Sequence, residues 1–230
     1  MKITASYLVR WAGLAAMVAG VLFIVIQPLH PPEILSSVTT GTWAIVHYLT
    51  IAMCLFGLFG IMGIYARQVK EAGWLGLIGF LLFSLWLVFT TALTFVEAFI
   101  LPLLTNDAPK FVEGFLGLSS GSGSEINLGA LAGAGIISAV SYLLGGLLFG
   151  IALLRARILS RWAAGLLAVG AVSSLAAALL PHELGRIAAI PVGLAMAWLG
   201  YALWSEQRVK AKEEPTPGPR LPNRNDPKSF

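Results

Sequence analysis

The stretch TWAIVHYLTIAMCLFGLFGIMGIYA occupies residues 42–66 and contains no Asp, Glu, Lys or Arg. A helix rises about 1.5 Å per residue, so about 20 apolar residues are enough to cross the roughly 30 Å of hydrocarbon in a bilayer. Other uncharged runs lie at 11–32, 72–96, 126–154, 162–182 and 187–205. We therefore predict six transmembrane helices, near residues 8–29, 42–66, 73–101, 127–154, 162–180 and 187–204.

The composition places most of this chain in lipid. Of its 230 residues, 57% are hydrophobic and 11% are charged, whereas soluble domains carry about 25% charged residues. The composition therefore favours an all-α polytopic membrane protein, with one transmembrane domain over residues 1–204. Residues 205–230 are charged and rich in Pro and Asn, so we expect a disordered tail.

Basic residues are distributed unevenly between the connections. With six spans, 13 of the 15 Lys and Arg residues fall on the side of both termini, and only Lys110 and Arg186 fall on the other. Short loops rich in Lys and Arg stay in the cytoplasm, so we predict a multi-pass protein of the cell membrane with both termini cytoplasmic. The positive charge is confined to loops and the tail, which argues against a nucleic-acid partner.

The chain repeats a similar order of residues three times. The first, third and fifth predicted helices begin near a Trp and end near a Pro, and the even helices carry a Gly near their cytoplasmic ends. This order indicates three tandem helical hairpins. The preferences of Trp and Arg for membrane interfaces, and of Pro for helix ends, would also produce much of it, so both interpretations stay open.

Small residues recur at helical spacing within the apolar runs. Gly57, Gly60 and Gly63 follow one another every third residue, and Gly193 lies between alanines four residues away on either side. In lipid, small residues allow two helix backbones to approach closely, and the resulting van der Waals contact favours association. We interpret these stripes as packing faces within one chain rather than as a dimer interface.

The sequence lacks the common catalytic signatures. It contains no glycine-rich phosphate loop, no His-Glu-x-x-His, no Cys-x-x-Cys and no Gly-x-Ser-x-Gly. Its single cysteine, Cys54, excludes a disulfide within the chain. No charged residue lies at the middle of a predicted span, which argues against an ion-coupled transporter with a midplane site. These absences favour a role without catalysis.

Histidine and glutamate side chains gather in one layer near the outer ends of the predicted helices. His47 lies one turn inside the second helix, Glu97 lies near the end of the third, and His30 and His182 follow the prolines that end the first and fifth. Imidazole and carboxylate together suit zinc, iron or copper, so these four residues are candidate metal ligands. Glu97 and His47 are also candidate catalytic acid–base groups. Each histidine could instead be only solvated or hydrogen-bonded within the bundle.

The outer connection 102–126 contains an amphipathic pattern. Pro109 begins a helical stretch in which Phe111, Phe115 and Leu118 share one face. A short helix at the membrane surface could cover an outer cavity, or it could simply shield a few phenylalanines.

Three functions remain open from the sequence. The first is the binding or movement of a small, weakly polar or lipid-like molecule, or the support of another membrane complex. The second is a membrane enzyme that acts on a lipid or isoprenoid at the outer leaflet with Glu97, His47 and His182. The third is a haem- or metal-binding protein in which His47 and a second histidine are the ligands.

Overall fold

A computed structural model of the chain describes residues 4–120, 123–177 and 186–213, and this part is built from helices without any strand. A 3-10 turn at Leu35–Ser37 and a π-helical turn at Val96–Ile100 accompany the helices. In chain order the helices are α1 (Ala5–Leu29), α2 (Gly41–Arg67), α3 (Val69–Phe95), α4 (Leu101–Leu104), α5 (Pro109–Ser120), α6 (Ala130–Ala156), α7 (Arg161–Ala177) and α8 (Ile190–Glu213).

Four helical segments are long and apolar enough to cross a membrane: Ala5–Leu29, Gly41–Arg67, Val69–Leu104 and Ala130–Ala156, each with a mean hydropathy of 2.1 to 2.2. The prediction of an all-helical fold is confirmed for the described residues, and the four candidate spans are consistent with a membrane protein. Six spans, the cell membrane as the location and the cytoplasmic side of the termini stay predictions.

Local sequence explains where the long helices begin. Thr4 and Thr40 precede α1 and α2, and each side-chain oxygen accepts a hydrogen bond from the backbone N–H three residues later. Within α3, Gly73 has a φ of 56°, a backbone conformation that favours glycine, and it separates a short initial turn from the long helix. The sequence prediction started this helix at residue 73.

The six long helices form a closed ring. Each one packs against the next in the order α1, α2, α3, α6, α7, α8, and α8 returns to pack against α1. Neighbours run antiparallel: along α1, Gly13 faces Gly200 of α8 and Gly20 faces Gly193. The pairs α1–α2, α3–α6 and α7–α8 coincide with the three predicted hairpins, but whether they arose as a repeat is still a prediction.

The two ends of the ring differ in chemistry. At one end the start of α1 meets the end of α8, where Arg10 lies over the Trp204 ring and Arg67 pairs with Glu206. The opposite end carries the buried histidine and glutamate residues and α5. The start of α1 and the end of α8 therefore lie at the same end of the ring. The basic loops predict that this end faces the cytoplasm.

The last helix continues beyond the predicted boundary at residue 204. It extends to Glu213, so the first part of the segment predicted as a disordered tail is helical. Residues 214–230, the remainder of that tail, lie outside the described residues.

Candidate functional site

Trp43 is the centre of the site at this second end of the ring. Its side chain is fully buried, and its indole N–H donates a hydrogen bond of 2.9 Å to the backbone carbonyl of Glu97. That carbonyl belongs to the π-helical turn, in which the N–H of Leu101 bonds to Val96. The next hydrogen bond of the turn would join the N–H of residue 102 to the Glu97 carbonyl, but Pro102 has no N–H. The indole of Trp43 donates to that carbonyl instead. π-turns of this kind are frequent at functional sites.

A second small core covers Trp43 from the outside. Helix α5 begins at Pro109, as the sequence predicted, and buries Val112, Phe115 and Leu116 against Trp43 and its neighbours. This packing removes the indole from contact with water or lipid headgroups. Helix α5 therefore covers the first turn of α2 in this structure.

His47 lies one turn below Trp43 and is 1% exposed. Its Nδ1 donates to the Trp43 backbone carbonyl at 2.7 Å, and its ring stacks on the indole with 4.1 Å between centroids. Because a carbonyl only accepts, Nδ1 carries a hydrogen and Nε2 is the atom that gains or loses a proton. Nε2 lies 3.4 Å from a carboxylate oxygen of Glu97. This separation makes an ion pair when the imidazole is protonated, but the geometry is not that of a hydrogen bond.

The loop after α1 brings two more titratable groups to the same place. The His30 ring lies 5.1 Å from the His47 ring, and its Nδ1 is 3.7 Å from Oε1 of Glu33. The same Oε1 accepts a hydrogen bond of 3.3 Å from Arg186, which precedes α8. Among the described residues, nothing donates to the other oxygen, Oε2, although it is buried.

Burial decides the protonation of Glu33. The pKa of this carboxyl is raised to about 7, because desolvation and the nearby charge of Glu97 raise it by more than the positive charge of Arg186 lowers it. Glu33 therefore exchanges a proton close to neutral pH, which is unusual for a glutamate.

The pKa of Glu33 makes stability depend on pH. Between about pH 4.5 and 7 the unfolded chain has lost this proton while the folded chain still holds it, so stability falls as the pH rises, by about 3 kcal/mol in all. We expect the midpoint of thermal unfolding in detergent to decrease from pH 5 to pH 8, and to decrease less in Glu33→Gln. Glu71→Gln, which changes an exposed carboxyl on α3, should follow the wild type. Parallel curves for Glu33→Gln and wild type would contradict the burial of this group.

The predicted site residues have different outcomes. The structure brings His30, His47 and Glu97 together, whereas His182 lies outside the described residues. Within the described ranges no three His, Cys, Asp or Glu side chains are arranged to hold a metal ion. The metal ligands, and the catalytic roles of Glu97 and His47, therefore stay predictions.

Sequence reasoning missed three members of the site. Glu33, Arg186 and Trp43 were not among the candidate site residues that the sequence indicated. A signal for Arg186 was present, because it is one of two basic residues on a side that otherwise carries acids. The pairing with Glu33 spans 153 positions of sequence and depends on closure of the ring.

The groups at this end of the ring can accept hydrogen bonds and exchange protons. Nε2 of His47 and Oε2 of Glu33 are both buried without a hydrogen-bond donor from the described chain. Either atom can receive a donor from another molecule or take up a proton. Comparison with known proteins finds no family model, no curated protein and no solved structure that matches this chain.

Proposed function

We propose that this protein binds a small, weakly polar or lipid-like molecule at the outer end of a six-helix membrane bundle. The observation that carries the proposal is the pair of buried acceptors, His47 Nε2 and Glu33 Oε2. Leaving a buried polar atom without a partner costs about 1–3 kcal/mol, and such atoms call for an explanation. A ligand with hydroxyl or amine donors would satisfy both.

The surroundings narrow the class of ligand. With neutral imidazoles, Arg186 and the carboxyls of Glu33 and Glu97 leave the site neutral when Glu33 holds its proton and with one net negative charge when Glu33 loses it, so an anionic ligand is disfavoured. The helices α1 and α2 that flank the site are candidate membrane spans, so the ligand reaches it from lipid or from the outer surface. A neutral amphiphile with free hydroxyl groups fits both conditions.

The six-span topology belongs to the same proposal. Helices α7 and α8 are not among the candidate spans, but α7 packs along α6 and α8 packs along α1. Gly150 of α6 faces Ala164 and Ala168 of α7, at distances that require direct backbone contact. If α1 and α6 cross the bilayer, their antiparallel neighbours lie at the same depth, and both termini fall on the side of the basic loops.

Monoolein, a neutral lipid with two free hydroxyl groups, tests the proposal. We expect monoolein to raise the thermal midpoint of the purified protein by about 5 °C at saturating concentration, because ligand that binds only the folded state stabilises it. Methyl oleate has a similar acyl chain and no hydroxyl, so it should give little shift. The measurement is thermal unfolding in one detergent at a fixed lipid-to-detergent ratio.

Matched variants locate the binding. Glu33→Gln replaces one of the carboxyl oxygens with an amide NH₂, which cannot accept a hydrogen bond from the ligand. His47→Phe removes the acceptor Nε2, so both variants should abolish the monoolein shift. Glu71→Gln makes the same chemical change as the first variant on an exposed residue of the opposite end, and it should retain the shift. An equal shift with methyl oleate, or a shift unchanged in Glu33→Gln, would refute binding at this site.

The pair His47–Glu97 favours a second candidate function, a membrane enzyme that acts on a lipid or isoprenoid at the outer leaflet. Nε2 of His47 would accept a proton from a substrate hydroxyl, and the Glu97 carboxylate, 3.4 Å away, would stabilise the imidazolium that forms. Analysis of the lipid recovered from the same samples separates the two functions. Conversion of the lipid that is lost in Glu97→Gln supports the enzyme, whereas unaltered lipid supports binding alone.

Metal or haem binding by His30, His47, Glu97 and His182 also stays a proposal. Its support is the approach of the His30 and His47 rings to within 5.1 Å of each other. Bound zinc, iron or copper in protein purified without chelator would favour it, and a Soret band after haem supplementation would favour the haem version.

A further inference from the structure

A separate recess lies at the other end of the ring, between the start of α1 and the end of α8. It has a volume of about 210 Å³. Its lining residues combine one positive charge with aromatic rings and a leucine: Tyr7, Arg10, Trp11, Leu14 and Trp204. None of them belongs to the site around Trp43, so the recess needs its own explanation.

Arg10 supplies the charge of this recess. Its guanidinium carbon lies 5.6 Å from the centre of the Trp204 ring, in a cation–π arrangement. In the described part of the chain no carboxylate pairs with Arg10. The neighbouring Arg67, in contrast, shares its single Nε–H between the two carboxylate oxygens of Glu206, at 2.9 and 3.0 Å. The donors of Arg10 are therefore available to an external acceptor.

The aromatic residues indicate the depth of the recess in the membrane. Tyr7 is 40% exposed and Trp11 is 51% exposed, and both lie in the first turns of a candidate span. Tyr and Trp rings that are exposed at the end of a span sit at the level of the lipid headgroups. Leu14 lies one turn deeper, at the level of the first acyl carbons. Arg10 is consequently at the depth of lipid phosphates.

We propose that this recess binds the headgroup of an anionic phospholipid from the leaflet at this end of the bundle. Arg10 would donate to the phosphate oxygens, which guanidinium groups bind in a bidentate manner. Tyr7, Trp11 and Trp204 would enclose the glycerol, and Leu14 would contact the acyl chain. Basic pockets between helices at the cytoplasmic face are a recognised mode of anionic lipid binding. The proposal is independent of any ligand at Glu33 and His47.

The test compares lipids bound to the full-length protein by native mass spectrometry after exposure to an equimolar mixture of phosphatidylglycerol and phosphatidylcholine. We expect wild type to retain phosphatidylglycerol in preference, and Arg10→Gln to reduce this preference about fivefold, the effect of one basic contact near a membrane surface. Arg10→Lys, which keeps the charge without the planar fork, should give an intermediate ratio.

Arg161 provides a matched control. Like Arg10 it precedes a Trp at the start of a helix, but its side chain is exposed and Trp162 is 81% exposed. Arg161→Gln should keep the wild-type preference. Equal losses in Arg10→Gln and Arg161→Gln would overturn the proposal in favour of general surface charge. An absence of preference for phosphatidylglycerol in wild type would also overturn the proposal. So would a loss of stability in Arg10→Gln that is as large in phosphatidylcholine alone as in the lipid mixture, because that loss would indicate that Arg10 binds a partner within the chain. A thermal midpoint of Arg10→Gln in detergent equal to that of Arg161→Gln shows that the variant is folded.

Discussion

Gly20→Ala is expected to reduce the stability of the protein by about 3 kcal/mol, which corresponds to about 10 °C in the midpoint of thermal unfolding. A Cβ added at Gly20 would overlap the carbonyl oxygen of Gly193 and would lie 2.5 Å from the backbone nitrogen of Ala197. Both atoms belong to the backbone of α8, so no side-chain rotation relieves the overlap. The two helices must separate, and the contact between them is lost along their length.

Gly133→Ala is the matched control for this substitution. Gly133 lies on α6, and a Cβ added there meets nothing within 4 Å. Because alanine is a better helix former than glycine, this variant should be as stable as the wild type or more stable by up to about 1 kcal/mol. Both variants are measured by thermal unfolding in the same detergent. Equal midpoints for Gly20→Ala and Gly133→Ala would show that α1 and α8 do not pack at this glycine.

Trp43→Ala is expected to cost about 4 kcal/mol, within the range for truncating a buried aromatic residue. The indole is 0% exposed, so its removal leaves a cavity beneath α5. The Glu97 carbonyl loses the indole donor, and the His47 ring loses the surface on which it stacks. The monoolein shift should disappear together with the stability, because Trp43 positions His47 and Glu97.

Two further variants separate these contributions. Trp162→Ala makes the same truncation at a side chain that is 81% exposed and should change the midpoint little. Trp43→Phe keeps an aromatic ring but loses the N–H and part of the ring volume, so it should cost less than Trp43→Ala and at least about 1–3 kcal/mol, the cost of a buried carbonyl that loses a donor. Similar midpoints for Trp43→Ala and Trp162→Ala would be incompatible with a buried Trp43.

The helices of this protein were largely predictable because lipid imposes a simple requirement on sequence. A span must be apolar over its whole length, so the uncharged run at 42–66 predicted α2 to within one residue at each end. Glycine spacing predicted close packing, and Gly60 does meet Ala16 of α1. The pairing of α8 with α1 was less accessible, because apolar faces of similar composition do not specify their partners.

The site was predictable only in part. Counting residues from the helix ends placed His47 and Glu97 at a common depth, and the structure brings them to 3.4 Å. The π-helical turn could not be foreseen, because the widening at Val96–Ile100 depends on Pro102 and on the donor that Trp43 brings from another helix. Glu33 was not predicted as a site residue, since nothing in the local sequence indicates its contact with Arg186.

The return of α8 to α1 has a consequence for biosynthesis. The helix that fills the glycine-lined face of α1 is translated after the other five long helices of the ring. Until α8 has been made, the helix that covers the backbone of α1 at Gly13 and Gly20 is missing. Closure of the ring is thus a late step, and a chain that stops before α8 leaves the groove along α1 unfilled.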